Sequence, residues 1–178
     1  NNGVRISGSG GDFSIGVDIS DNEFGPSTGN QSPIYVTCID AVKHKRVRIS
    51  GNGIQGRGIP FADGGNADLI STYGVDGLVV ATNKLSGAGD LFIAIEQVTS
   101  ASVTGNVGVG ADQNGITVQE SSHVSVTGNT LIDVGKDVNA ITNRTTNPLC
   151  GVLVFNATDT VIVEGNVVSD VAGGLADY

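Results

Sequence analysis

Residues 115–129 read Gly115-Ile116-Thr117-Val118-Gln119-Glu120-Ser121-Ser122-His123-Val124-Ser125-Val126-Thr127-Gly128-Asn129. In the second half of this segment, apolar side chains alternate with small polar ones. This alternation predicts a β-strand with Val124 and Val126 pointing inward and Ser125 pointing outward. Gly115-Ile116-Thr117-Val118 predicts a second short strand just before it, and the Gly-Asn pair at the end is typical of a tight turn.

The same pattern recurs along the chain, and each copy ends in an asparagine. The six asparagines are Asn22, Asn52, Asn83, Asn106, Asn129 and Asn166. Two successive gaps are 23 residues, and the others are 30, 31 and 37. A unit of about 23 residues is shorter than a strand–helix–strand unit, which needs about 30, but it suits one coil of a solenoid. The sequence therefore predicts an all-β fold, a right-handed parallel β-helix with coils of about 23 residues, as a fragment of a longer helix.

The repeated asparagines are predicted to lie at one corner of every coil. Stacked amide side chains can hydrogen-bond along the solenoid axis and to the backbone of the turns. Asparagine also tolerates the left-handed backbone conformation that such corners need. We therefore expect a structural role for this series.

The 178 residues suit one β-helix domain spanning residues 1–178. The most regular coils are predicted at residues 67–129, and inserted loops at residues 53–66 and 130–150. Both loops follow the asparagine corner, so both are expected to project from one side of the rod. They could wall a groove for a long sugar chain across the shorter coils between them. The alternative is that they are ordinary tolerated insertions or subunit contacts.

The composition and charge of the chain restrict the classes of partner that it is expected to bind. The net charge is -9 and 39% of the residues are hydrophobic. Such an acidic chain has no electrostatic reason to bind nucleic acid or anionic membranes, and no apolar run approaches the roughly 18–20 residues that span a bilayer. Neither nucleic acid nor a membrane is therefore an expected partner.

The strands of the Val-x-Val-x-Gly-Asn type, above all residues 115–129, resemble a coil of the pectin-lyase-like β-helix superfamily. The resemblance covers most of the chain. It implies a function among polysaccharide lyases, glycoside hydrolases, epimerases, phage tailspikes and adhesins, and an extracellular, cell-surface or virion location. The fold alone does not choose among these functions. The motifs of polygalacturonases are absent, because Asn66-Ala67-Asp68 stands where Asn-Thr-Asp is expected and the chain has neither Asp-Asp nor Gly-His.

A shift of 23 residues stacks acidic side chains on neighbouring coils. It places Tyr73, Glu96 and Gln119 in one column, and Gly74, Gln97 and Glu120 in the next. Glu96 and Glu120 become diagonal neighbours, and Asp90 lies one column from Asp112. Carboxyl pairs about 5–9 Å apart are what glycoside hydrolysis needs, so Glu96, Glu120, Asp90 and Asp112 are the catalytic candidates. The alternative is that these carboxylates are solvated corner residues.

The candidate substrate-binding residues are Arg57, Asp63 and Arg144 in the two loops, with Tyr73 as a surface for sugar stacking. No resident metal or cofactor is predicted, because His44 and His123 have no ligand cluster near them. Calcium enters only as a bridge between these carboxylates and a uronate, in the lyase or epimerase alternative.

Two functions follow. The first is a module that binds or degrades extracellular or capsular polysaccharide, as a lyase or a glycoside hydrolase of the tailspike type. The second is a non-enzymatic structural or adhesive shaft of a surface or virion protein. The shaft predicts smooth faces and homotrimer contacts along one strand face, whereas the enzyme predicts a groove with convergent acids of perturbed pKa.

Overall fold

The structure, a computed structural model, describes residues 3–9, 14–26, 31–38, 43–56, 68–135 and 150–169. Within these ranges all regular secondary structure is β-strand, and each coil contains three strands. In chain order they are β1 (Val4–Gly8), β2 (Ile15–Ser20), β3 (Glu23–Phe24), β4 (Ile34–Cys38), β5 (His44–Ser50), β6 (Gly53–Gln55), β7 (Ile70–Tyr73), β8 (Val75–Ala81), β9 (Lys84–Ala88), β10 (Ile93–Glu96), β11 (Thr99–Thr104), β12 (Val107–Ala111), β13 (Ile116–Gln119), β14 (Ser122–Thr127), β15 (Thr130–Val134), β16 (Val152–Phe155), β17 (Val161–Glu164) and β18 (Val167–Ser169).

The strands form three six-stranded parallel sheets that run along the solenoid. Sheet one contains the first strand of each coil (β1, β4, β7, β10, β13, β16), sheet two the second and sheet three the third. Ile93 pairs with Ile70 on one side and with Ile116 on the other, a step of 23 residues each way. The predicted parallel β-solenoid with a 23-residue period is thus confirmed.

Sheet three was not predicted as an element. The pattern of apolar alternation indicated two strands per coil, whereas the structure adds β6 and β15 at the start of the two segments read as insertions, 53–66 and 130–150. Strands β6 and β15 end at Gln55 and Val134, so each of these two segments begins as a strand. The third strand gives a weak signal because it is short or rich in small residues, as in Val107-Gly108-Val109-Gly110-Ala111.

The core follows from alternation within each strand. Val124 and Val126 are buried and Ser125 lies on the outer surface between them, as predicted. Gly108 occupies an inward position of β12, where the Phe92 ring takes the space that a side chain would fill. A Cβ atom placed on Gly108 would lie 2.5 Å from that ring, so a small residue of β12 is matched to a large one, Phe92, just before β10 in the same coil.

The six asparagines form one continuous hydrogen-bonded ladder at the corner between sheets two and three. The Asn83 Nδ2 atom donates to the Asn106 Oδ1 atom at 2.9 Å, and the Asn106 Nδ2 atom donates to Asn129 in the same way. From Asn52 onward, each Oδ1 atom also accepts the backbone N–H of the preceding asparagine, and each Nδ2 atom also donates to a strand carbonyl, such as that of Val80. Four members are about 1% exposed or less, so these bonds replace those of water. The structural role predicted for the series is confirmed.

The left-handed conformation, however, lies one residue earlier than expected. The residues with positive φ at this corner are those that precede the asparagines, namely Asp21, Gly51, Thr82, Gly105, Gly128 and Gly165. The asparagines themselves do not have positive φ, because their backbone N–H groups point along the axis to the next Oδ1 atom. The expectation that asparagine supplies the left-handed residue was wrong.

A second corner, between sheets one and two, carries the residues of interest for function. Its left-handed positions are Gly74, Gln97, Glu120 and Asn156, with φ between 49° and 66°. Non-glycine residues are uncommon in this region. Glu120 is thereby fixed at a bend of the backbone rather than on a flat strand. In the described part of the chain, no helix is long and apolar enough to cross a membrane.

Candidate functional site

The outer face of sheet one brings together the side chains singled out from the sequence. Its outward positions on the middle coils form two columns along the axis. Ser71, Ala94 and Thr117 make up the first, and Tyr73, Glu96 and Gln119 the second. The second column is the one predicted from the 23-residue shift, so the strands β7, β10 and β13 position these side chains as expected.

Glu96 and Glu120 are electrostatic neighbours. Glu120 belongs to the adjacent corner column, where Gln97 Nε2 donates to its Oε2 atom at 3.0 Å and Gln119 Nε2 to its Oε1 atom at 3.3 Å. Burial raises the pKa of Glu96 above its ordinary value of 4.5, and the charge of Glu120 raises it further. The predicted diagonal placement therefore brings the two carboxyl groups close enough for the charge of Glu120 to change the pKa of Glu96.

Asp68 joins this cluster and was not a sequence candidate. Burial raises its pKa well above 3.8, with additional increases from the charges of Asp90 and Glu96. Hydrogen bonds from the Leu91 N–H and the Ser71 hydroxyl partly oppose these effects. Asp90 and Glu96 thus act on one carboxyl group from the coil next to it. A signal for Asp68 exists, since a 23-residue step places it opposite Leu91, one position from Asp90.

Asp112 lies on the turn that is stacked over Asp90, one coil further along. Its backbone N–H donates to the Ala88 carbonyl, and the N–H of Gln113 donates to the Asp90 carbonyl, so this turn does lie over Asp90. Asp112 is not among the groups that shift the pKa of Asp68 or of Glu96. Tyr73 lies beside Glu96, partly exposed. Arg57, Asp63 and Arg144 lie outside the described residues.

Thr117 is a polar group on this face with an unmet hydrogen bond. It is 6% exposed, and its Oγ1 atom has no partner among the described residues. Ala94, beside it on β10, is fully buried although it too points outward. Unpaired buried hydroxyls cost free energy, so those that persist in folded proteins need a reason. Thr117 therefore leaves a buried hydrogen-bonding group in the first column without a partner.

Gln113 is a second such group, at the turn that joins sheet three to sheet one. Its side chain is fully buried, and neither its Oε1 nor its Nε2 atom has a partner in the described ranges. Its backbone N–H, by contrast, is bonded to the Asp90 carbonyl at 3.2 Å. A second buried side chain without hydrogen-bond partners therefore lies at the turn beside Asp90.

The basic run lies largely away from these acids. Arg48 points outward from sheet two between buried Val47 and Ile49, as predicted, and its Nε atom donates to Ser50. Lys43 Nζ donates to the Thr99 hydroxyl at 2.7 Å.

His44 is buried and structural. Its Nδ1 atom accepts the Ser14 N–H at 2.9 Å, and its Nε2 atom lies 2.9 Å from the Thr37 carbonyl oxygen. These two contacts suit one neutral tautomer, with the proton on Nε2.

A separate concavity of about 570 Å³ lies on the outer face of sheet three, bounded by Glu23, Gln55, Lys84, Val107 and Val109. None of the candidate residues from the sequence lies there. Its walls carry one acid and one base on different strands, without the convergent carboxyl groups found on sheet one. The chemistry therefore favours sheet one as the candidate site.

Among the described residues, no group of three or more His, Cys, Asp or Glu side chains is arranged to hold a metal ion. The carboxyl groups of Asp68, Asp90, Glu96 and Glu120 interact through their charges but do not form such a metal site.

Comparison with known proteins gives no relative: no family model matches the chain, and neither a curated protein nor a solved structure is significantly similar to it.

Proposed function

We propose that this chain is a polysaccharide-processing β-helix whose outer face of sheet one binds a glycan and cleaves it with a pair of carboxyl groups. The observation that supports this most is the convergence of Asp68, Glu96 and Glu120 from three neighbouring coils, with the pKa raised for two of them. Structural acids are usually solvated or paired with a base, whereas acid–base catalysis needs carboxyl groups whose proton affinities differ. The resemblance of the strands to the pectin-lyase-like superfamily, a right-handed group, adds support for polysaccharide as the partner.

Each carboxyl group suits a distinct role. Glu96 keeps its proton to a higher pH than an ordinary glutamate and is proposed as the general acid that protonates the glycosidic oxygen. Glu120, exposed and held by two side-chain amides, is proposed as the ionised partner that activates water or attacks the sugar carbon. Tyr73 borders Glu96 and offers a ring for sugar contact. Such a protein would act outside the cell, on a cell surface or on a virion.

The test is release of oligosaccharides from a panel of extracellular and capsular polysaccharides. Reducing ends report hydrolysis, and ultraviolet absorbance of an unsaturated product reports elimination. Glu96→Gln and Glu120→Gln are each expected to lower the rate at least about 100-fold, the lower range for loss of an acid–base group. Glu164→Gln, the same change on exposed β17 of sheet two, is the matched control and is expected to leave the rate unchanged. Undiminished cleavage by the first two variants would refute the assignment.

A structural shaft is the second proposal, favoured by the outer face of sheet two. Its columns carry Ser102 beside Ser125 and Thr104 beside Thr127, a smooth surface of small side chains. Val79 and Ile162, 39% and 47% exposed, extend the first of these columns as apolar contacts. This function predicts a homotrimer in light-scattering measurements and no oligosaccharide release from any polysaccharide.

A further inference from the structure

The outer face of sheet one is strongly acidic where its carboxyl groups converge. We propose that the glycan bound there carries unacetylated amino sugars, whose ammonium groups bind among Asp68, Glu96 and Glu120. This inference rests on the proposed function, because it names the substrate class of the same site.

The hydrogen-bond partners of these acids are neutral. Glu120 accepts bonds from the amides of Gln97 and Gln119. Asp68 accepts them from the Ser71 hydroxyl and the Leu91 N–H. Neutral donors stabilise a carboxylate but leave its charge in place, so a negative potential remains at the surface.

Three described cations around this face contact neutral groups. Arg5 stacks over the Tyr35 ring, 5.5 Å from its centre, and Tyr35 pairs with Ser71 on the next coil of sheet one. Lys43 donates to Thr99, and Arg48 to Ser50, both on sheet two. None of them forms an ion pair with Asp68, Glu96 or Glu120 among the described contacts. A direct ion pair with these acids is therefore open to a cation that a ligand brings.

Thr117 supplies an independent indication that a ligand belongs here. Its hydroxyl is buried, has no partner in the described ranges, and lies on the same outer face as Glu96. It stands in the column of Ser71, the residue that donates to Asp68. Sugar hydroxyl and amino groups are donors and acceptors of the size that such a position can accept.

Charge then separates the classes of sugar. A uronate would place a further negative charge beside Glu120, whose charge already raises the pKa of Glu96, and like charges a few ångströms apart repel. An N-acetylated amino sugar is neutral and gains nothing from the field. A free amine gains from each carboxylate, so we expect it to bind at least about tenfold more tightly than its acetylated form, the effect of roughly one such interaction.

The experiment compares three hexasaccharides by calorimetric titration. They are a hexamer of glucosamine, a hexamer of N-acetylglucosamine and a hexamer of galacturonate. The deacetylated hexamer is expected to bind most tightly, and its affinity to fall at least about tenfold between 0.05 and 0.5 M salt, through charge screening. Glu96→Gln with Glu120→Gln is expected to remove most of its advantage over the acetylated hexamer. Glu164→Gln, which removes the same charge from sheet two, is expected to keep it.

Each other outcome overturns a definite statement. If the acetylated or galacturonate hexamer binds as tightly as the amine, the substrate inference fails while the proposed function stands. If no hexamer binds and no polysaccharide in the panel is bound or cleaved, the proposed function fails with it. If the amine binds equally to the double variant and to Glu164→Gln, the attraction is a general effect of an acidic chain, and the inference fails.

Discussion

At the scale of single residues, Thr82 is the outlier of the asparagine corner. Its φ is 55°, in a column otherwise made of glycines and Asp21. A β-branched residue in the left-handed region is strained, by about 1–2 kcal/mol. Thr82→Gly is therefore expected to stabilise the fold by about 0.5–1 kcal/mol after the entropy cost of glycine, measured by urea unfolding. Thr104→Gly, a regular strand position of β11, is the control and is expected to destabilise.

Asp68 gives a pH-dependent prediction. Since its pKa is raised in the folded state above the ordinary 3.8, the folded protein binds this proton more tightly than the unfolded chain does. The ionised carboxylate therefore lowers stability at neutral pH, and the loss vanishes as pH falls below about 3.8.

The variant Asp68→Asn is thus expected to raise Tm at pH 7 by at least about 2 °C, roughly what 1 kcal/mol gives in a domain of this size. Thermal unfolding from pH 3.5 to 8 should show this gain shrinking toward acid pH. A gain that grows toward acid pH would contradict the assignment. Asp76→Asn, an exposed position of β8, is the matched control.

The residue-level predictions from sequence succeeded where the 23-residue count is unbroken. Glu96, Gln119 and Glu120 lie in coils of equal length, so counting alone placed them correctly. Asp68 also lies a 23-residue step before Leu91, so counting could have placed it beside Asp90, but its burial and its raised pKa are visible only in three dimensions. The pKa of a carboxyl group depends on burial and on neighbours from other coils, which no local pattern contains.

At the scale of elements, the contact of Phe92 with β12 is a sensitive point. Gly108→Ala would drive a methyl group into the Phe92 ring and is expected to cost about 1–3 kcal/mol. Phe92→Leu should relieve part of this clash. The loss of unfolding free energy in the double variant is therefore expected to be smaller than the sum of the two single losses by at least about 0.5 kcal/mol. A urea-unfolding double-mutant cycle measures this coupling. Additive effects would show that the two residues do not share space.

Gly25→Ala provides the control for that cycle, because a Cβ atom at Gly25 would have no neighbour within 4 Å. The same contact explains why β12 escaped prediction. Gly108 stands where an inward apolar side chain would have completed the alternation of β12, and its partner in packing, Phe92, lies 16 positions earlier in the chain. A sequence pattern shows which residues a strand contains. It does not show that a side chain from elsewhere in the chain, here Phe92, packs where the strand has a glycine.

At the scale of the whole molecule, the constant step between coils predicts that one coil can be removed cleanly. Deletion of residues 84–106 joins Asn83 to Val107, the residue that pairs with Lys84, and brings Asn83 against Asn129 in the ladder. We expect a folded protein with a lower Tm and unchanged β-type circular dichroism, because stability is a sum over neighbouring coils.

Deletion of residues 84–105, one residue fewer, is the control. It moves every following strand by one position and turns its apolar side chains outward. Loss of the cooperative thermal transition is expected. Equal behaviour of the two deletions would show that axial register does not set the stability of the solenoid.

The asparagine ladder has a mechanical consequence. Its bonds, like those of the three sheets, run along the axis from coil to coil. A molecule held by its two ends and stretched would therefore peel, breaking one layer of bonds before loading the next. Each regular coil frees 23 residues, or about 75–80 Å of extended chain. Optical-tweezer traces should rise in steps of that length, with longer steps where the ladder spacing is 30, 31 or 37 residues.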